Sequence, residues 1–266
     1  MVATLVFGLR LVTCETAAGD EPEGPTIGLL VPAYIYPGGD GLRDWQRLIA
    51  AADRVPIIVI VNHDSGPGKQ VDKDLLAVLE RAQRSKLTLI GYVPLNYARR
   101  PVADVKADVD SWLSLYPGVF GGIFFDEQPS RPAGIPYVAQ CAAYARKRIE
   151  NARIVSNPGT VCAPEYLTIA GEPTICLFEN KTGIDAYRPP PWRTRFRASQ
   201  MAAVLYDVPT ADAMKRSLRE MVQKRAGYVY VTDDSGPNPW VRLPSYWDDE
   251  VTAVAAENHR TAASRK

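Results

Sequence analysis

Eight short apolar runs, recurring at intervals of roughly 20 to 35 residues, limit what this chain can fold into more than any other feature. In order they read "TIGLLVPAY", "PIIVIVN", "LTLIGYV", "GGIFFDE", "RIVSNPG", "TICLFEN", "MAAVLYD" and "GYVYVTDD". Their length and their content of β-branched and aromatic residues suit buried strands. Between most of them lie amphipathic segments long enough for a crossover helix, such as "LRDWQRLIAAAD", "DKDLLAVLERAQRS" and "ADAMKRSLREMVQKRA". The connections after the fifth and sixth runs differ: "TVCAPEYLTIAGEP" is weakly helical, and "KTGIDAYRPPPWRTRFRAS" is a Pro-rich loop. The alternation predicts a single-domain α/β fold, a (β/α)8 TIM-like barrel, with a doubly wound open sheet as the alternative. Pro32 and Pro94 each remove a ladder donor, which predicts a bulge or a strand end at both positions.

The barrel domain is expected over residues 26–256. Residues 1–25 read as a possible leader or linker. The apolar "MVATLVFGLRLVTC" resembles a poor signal peptide, because it lacks a positive n-region and carries Arg10 in its apolar stretch. Residues 257–266, with His259, read as a polar C-terminal tail. Thirty-one basic residues against thirty acidic ones leave a net charge of +1, which offers no footprint for nucleic acid or an anionic membrane. No run reaches the length of a membrane span, and a monomer is expected. Cys14, Cys141, Cys162 and Cys176 are too widely spaced for a zinc knuckle or a redox pair and read as structural. Cys141 and Cys162 can pair only if the fold brings them together. With two histidines, His63 and His259, a histidine-rich metal site is excluded, and neither cofactor nor metal is expected.

Barrels place functional groups at the carboxyl ends of their strands, so polar residues that end apolar runs are the site candidates. Asp126, Glu127 and Glu179 are the candidate catalytic acids. Tyr34, Tyr36, Asn62, Tyr92, Asn96, Tyr97, Asn157 and Asp233 are the candidate substrate-binding residues, with Tyr187 and Trp192 in the following loop. An aromatic face stacks on a pyranose ring, and amides bind hydroxyl or acetamido groups. For Asn157 and Asp233 the competing role is a helix cap. Strand side chains alternate, so Asp126 follows the parity of Phe124 and Glu127 that of Ile123 and Phe125. Glu127 is the expected general acid on the condition that its face lines the barrel mouth. Glu179 shares parity with Ile175 and Leu177. An acid ending a buried run must be paired, solvated in a cleft or protonated. Carboxylates around one opening suit glycosidic cleavage, although Mg²⁺-dependent lyases use them too and would lose activity on chelation.

Six of these stretches carry a resemblance as a set: "VPAYIYP", "VNHDSGPG", "LIGYVPLNYARRP", "GGIFFDEQ", "SNPGT" and "CLFEN", in this order. They resemble the spherulin-four-like, spherulation-specific family, whose better-understood fungal members are glycoside hydrolases that cut galactosaminogalactan. The resemblance implies a (β/α)8 barrel and endo-cleavage of an N-acetylgalactosamine-containing exopolysaccharide. It also implies essential acids at Asp126, Glu127 and Glu179, and a secreted or cell-surface location. The chain departs from the family at His63 and Asp64, where a more Asn-Pro-like sequence is expected, and at Pro94, where a threonine is usual. The competing function is a non-catalytic glycan-binding or structural cell-coat barrel, which would keep the aromatics but need no set of three acids.

Overall fold

All eight apolar runs form strands in the computed structural model, which describes residues 26–181 and 183–263. They are β1 (Gly28–Ala33), β2 (Ile57–Val61), β3 (Thr88–Pro94), β4 (Gly122–Asp126), β5 (Arg153–Ser156), β6 (Thr174–Asn180), β7 (Met201–Leu205) and β8 (Tyr228–Val231). Each pairs in parallel with its sequence neighbours, and β8 returns to β1, closing a barrel in the order β1 to β8. The open-sheet alternative is thereby excluded. Helices α1 (Asp40–Ala51), α2 (Lys73–Gln83), α3 (Val102–Leu115), α4 (Ile135–Arg148), α5 (Ala211–Gln223) and α6 (Trp247–Ala263) follow β1, β2, β3, β4, β7 and β8. After β5 and β6 the chain makes short 3-10 turns instead, at Pro164–Thr168, Pro191–Arg195 and Ala198–Gln200. Proline opens two of those turns, where its fixed φ and missing amide fit the first helical position.

Helices are fixed to strands at positions that matter for the site. Asp72 caps α2 by accepting from the Leu75 amide at 2.9 Å, and Thr210 caps α5 through the Ala213 amide. The indole of Trp112 in α3 donates to the Tyr92 carbonyl at 2.8 Å, and a Cβ at Gly91 would meet the same indole at 2.8 Å. Glycine at that position lets α3 lie against the strand that carries Tyr92. Among the described residues no helix is long and apolar enough to cross a membrane. Cys141, Cys162 and Cys176 are free and buried, in keeping with a structural role; Cys14, like the leader segment 1–25, lies outside the described residues.

The join between β8 and β1 is unusual. Registered pairing there covers only Gly28 with Tyr228 and Leu29 with Val229. The Gly28 amide donates to Gly227 and the Leu29 amide to Pro56, so amides of β1 turn alternately to β8 and β2. By that alternation Pro32 lacks its N–H on the β8 side, where the ladder has already ended. This corrects the expectation for Pro32: it sits inside β1 with its register to Ile60 unbroken and no bulge. Pro94 ends β3, as expected. Side chains and a loop backbone close what the strand ladder leaves open. Glu250 of α6 accepts from the Val231 amide at 2.7 Å, and the Tyr34 amide donates to the Trp240 carbonyl at 3.0 Å. Asn258 bonds both backbone groups of Ile27, at 2.7 and 2.9 Å. A second correction follows: α6 runs on to Ala263, so residues 257–263 are helix rather than tail, held through Asn258 to the start of β1.

Candidate active site

The cavity at the carboxyl end of the barrel has a volume of about 70 Å³ and opens to solvent. Leu30, Ile60, Phe124 and Cys176 lie among its apolar lining, and Asp126, Asn157 and Glu179 are its polar groups. Tyr34 and Trp240 form aromatic wall. The carboxyl face of β4 is set by strict alternation: Phe124 and Asp126 line the cavity, whereas Ile123 and Phe125 are buried elsewhere. The condition attached to Glu127 is therefore not met, because its parity partners belong to the other face. At Glu127 the pleat itself breaks. Its φ is 52°, a left-handed conformation that costs a non-glycine residue about 1 kcal/mol or more. Glu127 lies beyond the strand end, outside the cavity lining, with its carbonyl accepting from the Tyr97 amide at 2.8 Å.

Glu179 reaches the cavity by a different device. Pairing of β6 with β7 shifts register between Cys176 and Phe178, which makes Leu177 an extra residue in a bulge. The bulge cancels one step of alternation. Glu179 therefore joins Cys176 on the inner face instead of following Ile175 and Leu177, as simple parity requires.

Asn157, the residue after β5, binds both acids. Its Nδ2 donates to Asp126 Oδ1 at 3.0 Å and to Glu179 Oε2 at 2.5 Å, while its Oδ1 accepts from the Gly159 amide at 2.8 Å. Because both carboxyl oxygens bond one nitrogen, at 3.0 and 2.5 Å, they are at most 5.5 Å apart. The backbone of Asn157 is itself pinned, its amide to Phe125 and its carbonyl to the Gln128 amide. Buried Gln128 also accepts from the Ser156 hydroxyl. The second oxygen of Asp126 accepts from the Tyr92 hydroxyl at 2.8 Å, and the Tyr92 ring meets Tyr34 edge-on at 5.6 Å. Burial raises the carboxyl of Glu179; the Asn157 amide opposes that rise and the nearby Asp126 adds to it. Burial and the neighbouring Asp126 likewise raise the phenols of Tyr34 and Tyr92, so both remain protonated donors.

The other candidates divide. Asn62 turns its side chain back to accept from the Gly66 amide at 2.9 Å, shaping its own loop. Asp233 is held by Arg242 at 2.8 Å and by the Ser245 amide; despite burial, which acts the other way, these bonds leave its carboxyl below the ordinary range. It lies outside the cavity lining, as do Tyr36, Asn96 and Tyr97, which belong to the loops around the mouth. Tyr187 packs on Phe178 at 5.0 Å and Trp192 on Phe196 at 5.8 Å. Neither lines the cavity. Trp240 is the residue that the sequence reading missed. It sits in "SGPNPWVRLP" after β8, flanked by Tyr206 at 5.8 Å and Tyr230 at 6.1 Å. A large aromatic in a polar, Pro-rich strand-end loop was the available signal.

The model of the Spherulation-specific family 4 matches residues 28–254. Spherulin-4 of Physarum polycephalum is 32% identical over 254 residues, spanning 91% of this chain and 73% of that protein. Among solved structures, that of Aspergillus clavatus Sph3 in complex with GalNAc superposes with a TM-score of 0.73 at 22% identity, covering 88% of this chain and 99% of that one. The barrel fold is thus shared with a glycan-bound structure, and the span matched by the family model runs from the first strand into the last helix. On that match and the Physarum identity, this chain is a member of spherulation-specific family 4.

Proposed function

We propose that the protein is a glycoside hydrolase acting on an amino-sugar-containing exopolysaccharide of the N-acetylgalactosamine type. The observation that carries this reading is the Asp126–Asn157–Glu179 bridge, two carboxyl groups held at one opening by one amide. Glycosidic cleavage needs one carboxyl that keeps its proton and another that works as a carboxylate. Burial raises Glu179, which suits it to protonate the leaving oxygen. Asp126, accepting from Tyr92 and Asn157, takes the carboxylate role at the anomeric carbon. The general-acid role thus moves from Glu127 to Glu179. Glu127 stays in the site at its rim, beside Tyr97. The cap of 5.5 Å on the nearest oxygens favours a retaining route, for which carboxyls lie about 5 to 5.5 Å apart, over inversion at about 6.5 to 9.5 Å. Tyr34 and Trp240 offer ring faces to a sugar. The GalNAc held by the Aspergillus clavatus structure supports the choice of sugar. An extracellular polysaccharide as substrate implies a secreted or surface-held enzyme.

The test is incubation with a panel of purified microbial exopolysaccharides, mass spectrometry of released oligomers, and proton NMR of the first-formed anomer. Release of N-acetylhexosamine oligomers with retained configuration is expected, and an Asp126→Asn chain should release none. Binding of the glycans without any release would instead identify a non-catalytic barrel.

A further inference from the structure

Among the described residues five large apolar side chains stand exposed: Tyr36 (58%), Val71 (41%), Tyr97 (53%), Val161 (37%) and Val241 (48%). Single exposed apolar residues are ordinary, but their confinement to one face is informative. Each of the five lies in a loop that follows a strand, after β1, β2, β3, β5 and β8 respectively. All five therefore ring the end of the barrel that carries the cavity.

The two tyrosines are built in with care that packing does not explain. The Tyr36 hydroxyl donates to Asp74 at 2.9 Å, and its ring lies over Gly38, where a Cβ would come within 2.8 Å of the ring. Tyr97 sits in the middle of three successive left-handed residues, Asn96 (φ 45°), Tyr97 (φ 53°) and Ala98 (φ 65°). At Tyr97 and Ala98 this costs about 1 kcal/mol or more each, yet the tyrosine side chain so presented buries little. What secures the turn is its junction with the acid-bearing strand: the Leu95 amide donates to the Asp126 carbonyl at 2.9 Å and the Tyr97 amide to the Glu127 carbonyl at 2.8 Å. Tyr97 is thereby tied to the residue next to the cavity acid.

We propose that Tyr36 and Tyr97 form a platform outside the cavity on which successive sugar units of a polysaccharide lie, so that the chain is bound as a polymer. This rests on the glycoside hydrolase reading and extends it to the length of ligand that the surface takes. The occupant follows from the chemistry of the rim. Pyranose faces offer C–H surface edged by hydroxyls, which matches a ring beside polar groups such as Asp74 and Asn96. A protein partner would require a broader continuous apolar patch than two tyrosines, one of them bonded to Asp74. Strands β1 and β3 lie two positions apart, about 10 Å at the strand ends, so the rings can meet different units of one chain.

The experiment uses the Glu179→Gln chain, so that ligand is not consumed, with galactosaminogalactan as polymer probe and free N-acetylgalactosamine as monomer probe. Polymer affinity is read by gel retardation and monomer binding by ligand-observed NMR. Tyr36→Ala and Tyr97→Asn should each weaken polymer binding about fivefold, and the double variant more, with monomer binding in the cavity unchanged. Asparagine is chosen because it tolerates left-handed backbone. Tyr97→Phe, which keeps the ring, should bind as the parent does. A double variant that retains full polymer affinity overturns the platform and leaves the hydrolase reading standing. A parent chain that binds neither probe overturns both.

Discussion

Glu179 at the end of β6 and Glu250 in α6 are both carboxyls taken out of water, and burial raises both above the ordinary value of 4.5. What surrounds them differs. Glu179 opens into a cavity and shares the Asn157 amide with a second acid. Glu250 is 0% exposed, fills the short β8–β1 join and accepts only the Val231 amide, through one oxygen. Among the described residues its other oxygen has no hydrogen-bond partner. The same desolvation serves reactivity where solvent and a ligand can enter, and serves closure of the barrel where they cannot. A raised carboxyl is thus not by itself a mark of catalysis.

The sharpest way to break this comparison is to remove each acidity in turn. Glu179→Gln should lower turnover by about 10²–10⁴-fold on the cleaved polysaccharide. The thermal midpoint should hold or rise slightly, because the amide carries no charge to desolvate. Normal turnover in that variant would end the assignment of Glu179 as proton donor. Glu250→Ala should do the reverse. It strands the Val231 amide and leaves a void, costing about 2–4 kcal/mol in urea denaturation while the folded fraction keeps its turnover. If the join between β8 and β1 needed no side chain, the loss would fall below about 1 kcal/mol.

How far the sequence already contained this comparison can be judged residue by residue. The strands were legible because a parallel barrel buries both faces, so its strands read as unbroken apolar runs ended by polar residues. Asp126 was legible for the same reason, and strict alternation placed it beside Phe124. Glu179 was legible as an acid but not as an inward one, since the bulge at Leu177 is a property of the β6–β7 pairing and leaves no mark in β6 alone. Glu127 misled because parity assumes an unbroken pleat, and its φ of 52° ends the pleat one residue earlier. Glu250 passed unnoticed as the third of three successive acids in the first turn of α6. Its role depends on a gap between two strands some 200 residues apart in the chain.

Asn157 allows a finer cut. It spends its amide hydrogens on the two acids and its oxygen on Gly159, the arrangement of a positioning residue for the proposed catalytic pair. Asn157→Ala should lower kcat about tenfold with a smaller change in KM, as the carboxyls lose their common anchor. The amide lowers the Glu179 carboxyl, so its removal lets that group rise further. The alkaline limb of the kcat profile, where the proton donor is lost, should therefore move to higher pH. An unmoved limb with a raised KM would return Asn157 to substrate binding.

The smallest effect in any single measurement concerns Glu250 and pH. Its carboxyl is raised in the folded protein by burial above all, opposed by the Val231 amide and helped by Asp233. Below the ordinary value of 4.5 the group is neutral both folded and unfolded, and its contribution is fully present. As pH climbs from there towards the raised folded value, the unfolded chain releases the proton first, and folding stability falls. One such proton gives a slope of at most about 1.4 kcal/mol per pH unit. Neighbouring groups do not obscure that window, since Asp233 is shifted below the ordinary carboxylate range and the Tyr230 and Tyr246 phenols above 10.0. Glu250→Gln keeps an acceptor for the Val231 amide but has no proton to lose, so its urea midpoint should fall less steeply, keeping only the part that the raised Glu179 contributes. The wild-type and glutamine curves should converge or cross as the pH rises above 4.5, with the acid form favoured at the lower end. Parallel curves across that range would show that Glu250 is no more costly to ionise in the join than in water, and the contrast with Glu179 would have to rest on solvent access alone.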